Sequence, residues 1–174
     1  TTMKQADAEK LLKDKKLIAE VEEVYYSKGS NYEYAPVGYV IKQEPASGSS
    51  IAEGSTVKIY VNKGFSANIT VNLPRDLKLN QYYVSLWADG VAVAESKMLD
   101  ATQLSKYTFE NVTSKRDSGT YTVKIRSASS NALDYQVITV DFKEGAAKRV
   151  GSYDDYKKLD ADTTSSSSDN EDYN

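Results

Sequence analysis

Between Asn68 and Phe142 apolar and polar residues alternate in short runs, and that period of two restricts the fold more than any other feature. The runs fall at 68–73, 82–87, 91–95, 106–112, 120–126 and 135–142. Successive side chains of a strand point to opposite faces, so each run can bury one face and wet the other. Asp89-Gly90 separates the second run from the third. That dipeptide favours a type I′ hairpin, whose two central residues both need positive φ. Six or seven short strands at regular spacing predict an antiparallel β-sandwich over 65–150.

Residues 1–64 carry a different pattern. Ala8, Leu11 and Leu12 fall on one face of 4–16, with Lys and Asp elsewhere, which predicts a short amphipathic helix. Strands are expected over 17–26, 37–43 and 55–62. In the first, the adjacent Glu22 and Glu23 break the alternation and point to a bulge. Pro45 stops the second, and Val57, Ile59 and Val61 alternate with polar residues in the third. The chain is expected to break at Asn62-Lys63-Gly64-Phe65. One helix on a three-stranded sheet is a small α+β unit.

The run Val37-Gly38-Tyr39-Val40-Ile41-Lys42-Gln43-Glu44-Pro45-Ala46-Ser47-Gly48, followed by Ile51, Gly54-Ser55, Val57 and Val61-Asn62-Lys63-Gly64, resembles the PASTA domain. Such modules are attached to penicillin-binding proteins and bacterial serine/threonine kinases. Ala8, Leu12 and Leu17 also stand where that family keeps a small residue and two leucines. The family opens with a strand ending in Gly, whereas Thr2 stands here, so the resemblance implies a truncated first strand. Further on, Asp117-Ser118-Gly119-Thr120-Tyr121 resembles the Asp-x-Gly-x-Tyr corner of immunoglobulin-like domains, with Val123 where those domains often have Cys.

The implied fold is an α+β PASTA module at 1–64, an all-β immunoglobulin-like sandwich at 65–150, and an acidic tail at 151–174. The order of parts resembles the outer region of a membrane-anchored kinase of a Gram-positive bacterium. On that resemblance the segment is extracytoplasmic, and its partners are peptidoglycan fragments or their lipid-linked precursor. The groups that match such a ligand lie at one turn: Tyr39, Lys42, Gln43, Glu44, Ser47 and Ser49. The C-terminal end of a penicillin-binding transpeptidase, or a spacer without glycan affinity, are the alternatives. Ligand-dependent dimerisation stays open.

Composition narrows the chemistry. The chain has no His and no Cys. It therefore lacks an imidazole base, a thiolate nucleophile, disulfides and the usual zinc ligands, and no cofactor or metal is expected. Ser55-Thr56-Val57-Lys58 matches the Ser-x-x-Lys of penicillin-binding enzymes. That chemistry needs both side chains on one helix face, whereas an alternating strand turns positions three apart to opposite sides. Neither a Gly-rich phosphate loop nor a His-Arg-Asp motif is present, so the segment itself is expected to be non-catalytic. Leu73-Pro74-Arg75-Asp76 lacks the Thr-Gly of a sorting signal, and the sequons at Asn68 and Asn111 carry no weight in the bacterial chain that the resemblance implies.

Residues 151–174 hold two basic and seven acidic side chains, against a net charge of −3 for the whole chain. Neither body segment has the clustered positive stripe that nucleic acid requires. The tail's acidic, Ser-rich composition predicts a flexible segment; Val150, Tyr153, Tyr156 and Leu159 are the apolar groups that would dock if it were ordered. Asp160, Asp162, Thr164, Ser166, Ser168 and Glu171 match calcium-loop spacing, but Ser165 replaces the required Gly. Fourteen Tyr complete the picture. Tyr25, Tyr26, Tyr32, Tyr34 and Tyr39 crowd one region, where they either stack on sugar rings or pack half-buried.

Overall fold

A computed structural model describes residues 3–162. The chain divides into two compact units. The first comprises the described residues up to Ala67 with two short segments, Thr113–Asp117 and Phe142–Gly145. The second comprises Asn68–Val112, Ser118–Asp141 and the described residues from Ala146 onward.

In the first unit, β1 (Met3–Lys4) leads directly into α1 (Gln5–Asp14), followed by β2 (Ile18–Tyr26), β3 (Tyr39–Glu44) and the first part of β4 (Thr56–Asn72). The sheet order is β1-β3-β4-β2, with β2 parallel to β4 and the other pairs antiparallel. Helix α1 starts where the Gln5 amide donates to the Gly38 carbonyl at 3.0 Å. Asp7 in its first turn and Lys13 in its last suit the helix dipole. Its Ala8 joins Val40, Val57, Ile59 and Val61 in a buried cluster, with Met3, Leu12 and Leu17 packed against it. Each large aliphatic side chain buried there contributes about 1.5–3 kcal/mol. Alternation along β4 thus puts one face on the helix and leaves Thr56, Lys58 and Tyr60 on the other.

Two local expectations are corrected. Glu22 and Glu23 sit in regular register opposite Tyr60 and Val61. They need no bulge, because β2 is an edge strand whose residues are mostly exposed. The irregularity falls on β4 instead: Val24 pairs with Asn62 and Tyr25 with Gly64, so Lys63 is the extra residue. Nor does the strand end at Asn62–Phe65: β4 continues through it to Asn72, and the two units divide just beyond, between Ala67 and Asn68.

The second unit contains the end of β4, β5 (Gln81–Ala88), β6 (Val91–Glu95), β7 (Leu99–Asp100), β8 (Lys106–Ser114) up to Val112, β9 (Ser118–Arg126), β10 (Leu133–Asp141) and β11 (Ala146–Ser152). One sheet runs β11-β10-β9-β5-β6, with β7 also on β5, and β8 pairs with β4. All pairs of the first of these sheets are antiparallel. The strands expected from alternation are present, and β7 and β11 join them. Asp89 and Gly90 take φ of +50° and +78°, as a type I′ turn demands. Ile69, Val71, Tyr82, Val84, Leu86, Val123, Ile125, Ile138 and Val140 are buried.

The tail expected from 151 begins too early. Residues up to Ser152 belong to β11, and a 3₁₀ turn (Asp155–Lys158) and a short α2 (Leu159–Asp162) follow. Tyr156 and Leu159 are 5% and 1% exposed. The Tyr156 ring meets Tyr135 edge-on at 4.9 Å, and its hydroxyl donates to Asp76 Oδ1 at 2.8 Å. Two well-placed apolar anchors and a partly buried hydrogen bond outweigh an acidic average composition. Val150 and Tyr153 remain exposed. Beyond Asp162 the tail, including most of the calcium-loop match, lies outside the described residues.

Candidate functional site

The candidate residues are set by β3 and the turn that follows it. A cleft of about 320 Å³ lies on this region, lined by Lys42, Gln43 and Ser47 together with Asn31, Glu33 and Ile41. Gln43 Nε2 donates to the Pro45 carbonyl at 3.0 Å, which orients its amide toward the turn. The Ser49 amide closes that turn on the Ala46 carbonyl at 3.1 Å. The structure therefore brings Lys42, Gln43 and Ser47 to one cleft. Tyr39, Glu44 and Ser49 are not among its lining residues.

Glu44 instead belongs to a charged aromatic cluster on the sheet face opposite α1. Lys42 Nζ lies 2.6 Å from Glu44 Oε1, and the Tyr60 hydroxyl donates to Glu44 Oε2 at 3.0 Å. The ammonium groups of Lys42 and Lys58 sit 5.2 and 5.3 Å from the centre of the Tyr60 ring. Tyr32 lies against the same ring at 5.7 Å. Lys58 also pairs with Glu22 at 2.6 Å. Register explains the grouping: Lys42 and Glu22 both stand opposite Tyr60 in their respective ladders.

These contacts set the protonation states. The hydrogen bonds from Lys42 and then Tyr60 hold the Glu44 carboxyl below the usual range. Its bond to Glu44 raises Lys42, and the bond to Glu22 raises Lys58. A lysine raised in this way is a poor base. Lys58 is thus unsuited to the Ser-x-x-Lys chemistry that its sequence context evokes.

Tyr60, Tyr32 and Lys58 are missing from the sequence-based site. The available signal was the polar half of the alternating run 55–62, which puts Lys58 and Tyr60 on one face beside Glu20 and Glu22. Of the crowded tyrosines, Tyr26 and Tyr34 are packing residues: their rings meet at 5.5 Å and both contact Phe65. Tyr34 also donates to Asp117 Oδ2 at 2.7 Å. Tyr32 remains on the surface cluster.

Among the described residues no group of acidic side chains could hold a metal ion, and no helix is long and apolar enough to cross a membrane. Residues 1–63 match the family model of the PASTA domain. No curated protein matches the chain. A solved structure, from X-ray studies of the entire extra-cellular region of the Ser/Thr kinase PrkC from Staphylococcus aureus, aligns at 23% identity with a TM-score of 0.27. The alignment covers 85% of this chain and 48% of that one, so the chain spans about half the length of that region.

Proposed function

We propose that this chain is a non-catalytic part of the extracytoplasmic sensor region of a membrane-anchored bacterial serine/threonine kinase, and that its PASTA domain binds peptidoglycan fragments or their lipid-linked precursor. The match of residues 1–63 to the PASTA family carries this reading. The cleft supports it chemically. A muropeptide presents amides and charged stem-peptide ends; Gln43 and Ser47 can pair with amides, and Lys42 with a carboxylate. The Tyr60 and Tyr32 rings beside Lys42 offer flat faces to a sugar.

The same reading includes an immunoglobulin-like sandwich for 65–150. Its support is the Asp-x-Gly-x-Tyr run and Tyr121, which is 6% exposed and whose ring lies 3.2 Å from where a Cβ on Gly119 would stand.

Binding by one module is weak on this account. The cleft is at the lower end of the ~300–1,000 Å³ range of small-molecule sites, and ordering a flexible, hydrated ligand offsets much of the contact energy. A dissociation constant of roughly 0.1–1 mM is expected, with tighter sensing left to several modules on one polymer. An amide-shift titration with purified muropeptides tests this. Shifts at Lys42, Gln43 and Ser47 are expected; shifts confined to 68–141, or none at millimolar ligand, would replace the sensor with a spacer.

A further inference from the structure

The second unit has a larger cleft of about 430 Å³, formed by the segments 74–80 and 101–105. Among its lining residues the only formal charge is the guanidinium of Arg75. Asn80 and Gln103 with their carboxamides and Thr102 with its hydroxyl also line it, and Leu77 and Leu104 are among its apolar residues. No carboxylate lines the cleft. The nearby acids in the chain already have hydrogen-bond partners, Asp100 in the lining residue Thr102 itself. Asp76 pairs with the Tyr156 hydroxyl at 2.8 Å and with Lys157 at 3.3 Å. Asp100 accepts from the Thr102 amide at 3.0 Å and from its hydroxyl at 2.6 Å. Among the described residues no ion pair to Arg75 is formed.

One wall of the cleft is also held in place from behind. Asp160 Oδ1 accepts from the amides of Lys78 and Leu79 at 2.9 and 3.3 Å, and Tyr156 and Lys157 grip Asp76. The segment that carries Arg75 and Leu77 is therefore fixed at three points by the chain between 154 and 160. A wall fixed in advance loses little freedom when a ligand arrives.

We propose that this cleft binds a small carboxylate bearing a short apolar side chain, of the kind a peptide C terminus presents. A guanidinium is a planar fork that pairs with a carboxylate through two parallel hydrogen bonds. The carboxamides of Asn80 and Gln103 can donate to and accept from a neighbouring peptide bond. Leu77 and Leu104 suit a short apolar side chain better than a second charge. The site is independent of the cleft on β3, so either can fail without the other.

The test is an amide-shift titration of the full chain with N-acetyl-alanyl-alanine, its C-terminal amide, and inorganic phosphate in parallel. The free acid should move the signals of residues 101–105 and of Arg75 in a saturable way, while the C-terminal amide leaves them still. Arg75→Gln should weaken binding of the acid by about tenfold or more, the loss of one charged hydrogen-bonding partner, and Arg75→Lys should recover part of it. Arg75 is exposed, so both variants should keep the spectrum of the free protein. Equal response to acid and amide, an equal response to phosphate, or no shift at millimolar peptide acid would each overturn the proposal.

Discussion

The backbone amide of Gly64 donates to Oδ1 of Asn62 at 2.9 Å, across the residue that bulges out of β4. Asn62 is fully buried, and its Nδ2 donates to the Ala35 carbonyl at 2.8 Å. Its own carbonyl accepts from the Gly38 amide, also at 2.8 Å. One carboxamide therefore replaces the ladder bonds that the bulge removes and ties the loop before β3 to β4. Gly64 takes φ of +156°, and a Cβ there would stand 2.7 Å from the Ser114 carbonyl oxygen. A side chain at 64 has no space.

Asn62→Ala leaves the Gly64 amide and the Ala35 carbonyl without these partners in a buried site. Unmet buried groups cost about 1–3 kcal/mol each, so the variant should lose roughly 2–4 kcal/mol. Asn62→Asp should do no better, because a carboxylate meets the Ala35 carbonyl with no donor. Urea midpoints at constant slope measure both. A loss under about 1 kcal/mol for the alanine variant would show that water replaces the carboxamide.

Asn62 and Gly64 also show where sequence patterning stops. The alternation of Val57, Ile59 and Val61 gave the buried face of β4, and Asp89-Gly90 gave a hairpin, because both are local rules. The same Asn-Lys-Gly-Phe run looked like a chain break, since polar residues and Gly at a strand end are composed like those at a bulge. Only the partner strand distinguishes the two. Lys42, Gln43 and Ser47 could be grouped from one turn, and all three line the cleft on β3. Tyr60 was not, because it enters through register with Lys42 and Glu22 on two other strands. Tyr156 and Leu159 were hidden in an acidic stretch whose average outweighed two anchors.

The Lys42–Glu44 pair should respond to pH. Glu44 ionises below its ordinary value in the folded chain, so the stabilising pair is fully present above the unfolded value near 4.5 and is lost as pH falls through the lowered one. Glu44→Gln should remove that acid-side change in the Tyr60 ring signals, followed by NMR between pH 6 and 2. It should also leave Lys42 uncompensated and shift the cleft's preference toward carboxylate-bearing muropeptides. No change in preference would place Glu44 outside ligand recognition.

Tyr121 and Gly119 make a second pair with sharp consequences. A Cβ on Gly119 would stand 3.2 Å from Tyr121 Cε2, so Gly119→Ala must push the ring and should cost about 1–3 kcal/mol. Tyr121→Ala should cost about 3–5 kcal/mol through lost burial. If the hydroxyl holds a corner, Tyr121→Phe should cost ~1 kcal/mol, a typical net hydrogen bond. A neutral phenylalanine variant would leave the ring as packing alone and remove the support for an immunoglobulin-like corner.

The segment after β11 should behave as part of the fold. Leu159→Ala opens a cavity at a site 1% exposed and should cost about 2–5 kcal/mol. Ending the chain at Tyr153 removes both anchors and should lower the melting temperature by more than ~5 °C, given ~2–4 °C per kcal/mol in a chain this size. Tyr156 is pushed up to about 12, first by burial and then by its bond to Asp76. Its contribution is thus complete below the ordinary tyrosine value near 10 and fades as pH rises toward 12. Tyr156→Phe should flatten that alkaline decline in melting temperature, and an unchanged profile would mean that other groups set it.

Tyr82 gives the opposite kind of prediction, a substitution that stabilises. Its side chain is completely buried, and among the described residues its hydroxyl has no hydrogen-bond partner. Burial pushes its ionisation up to about 12, as expected of a phenol held away from water. The ring fills the core between β5 and its neighbours, but the oxygen has surrendered its hydration for nothing. A buried hydroxyl without a partner costs about 1–3 kcal/mol on mutational scales. Tyr82→Phe keeps the ring and deletes the oxygen, so it should raise stability by roughly 1 kcal/mol and the melting temperature by ~2–4 °C. Tyr82→Leu should fall well below wild type, because it also removes ring volume from a close-packed site. If the phenylalanine variant instead loses more than ~1 kcal/mol, a buried water bonds the hydroxyl and Tyr82 is a satisfied core residue.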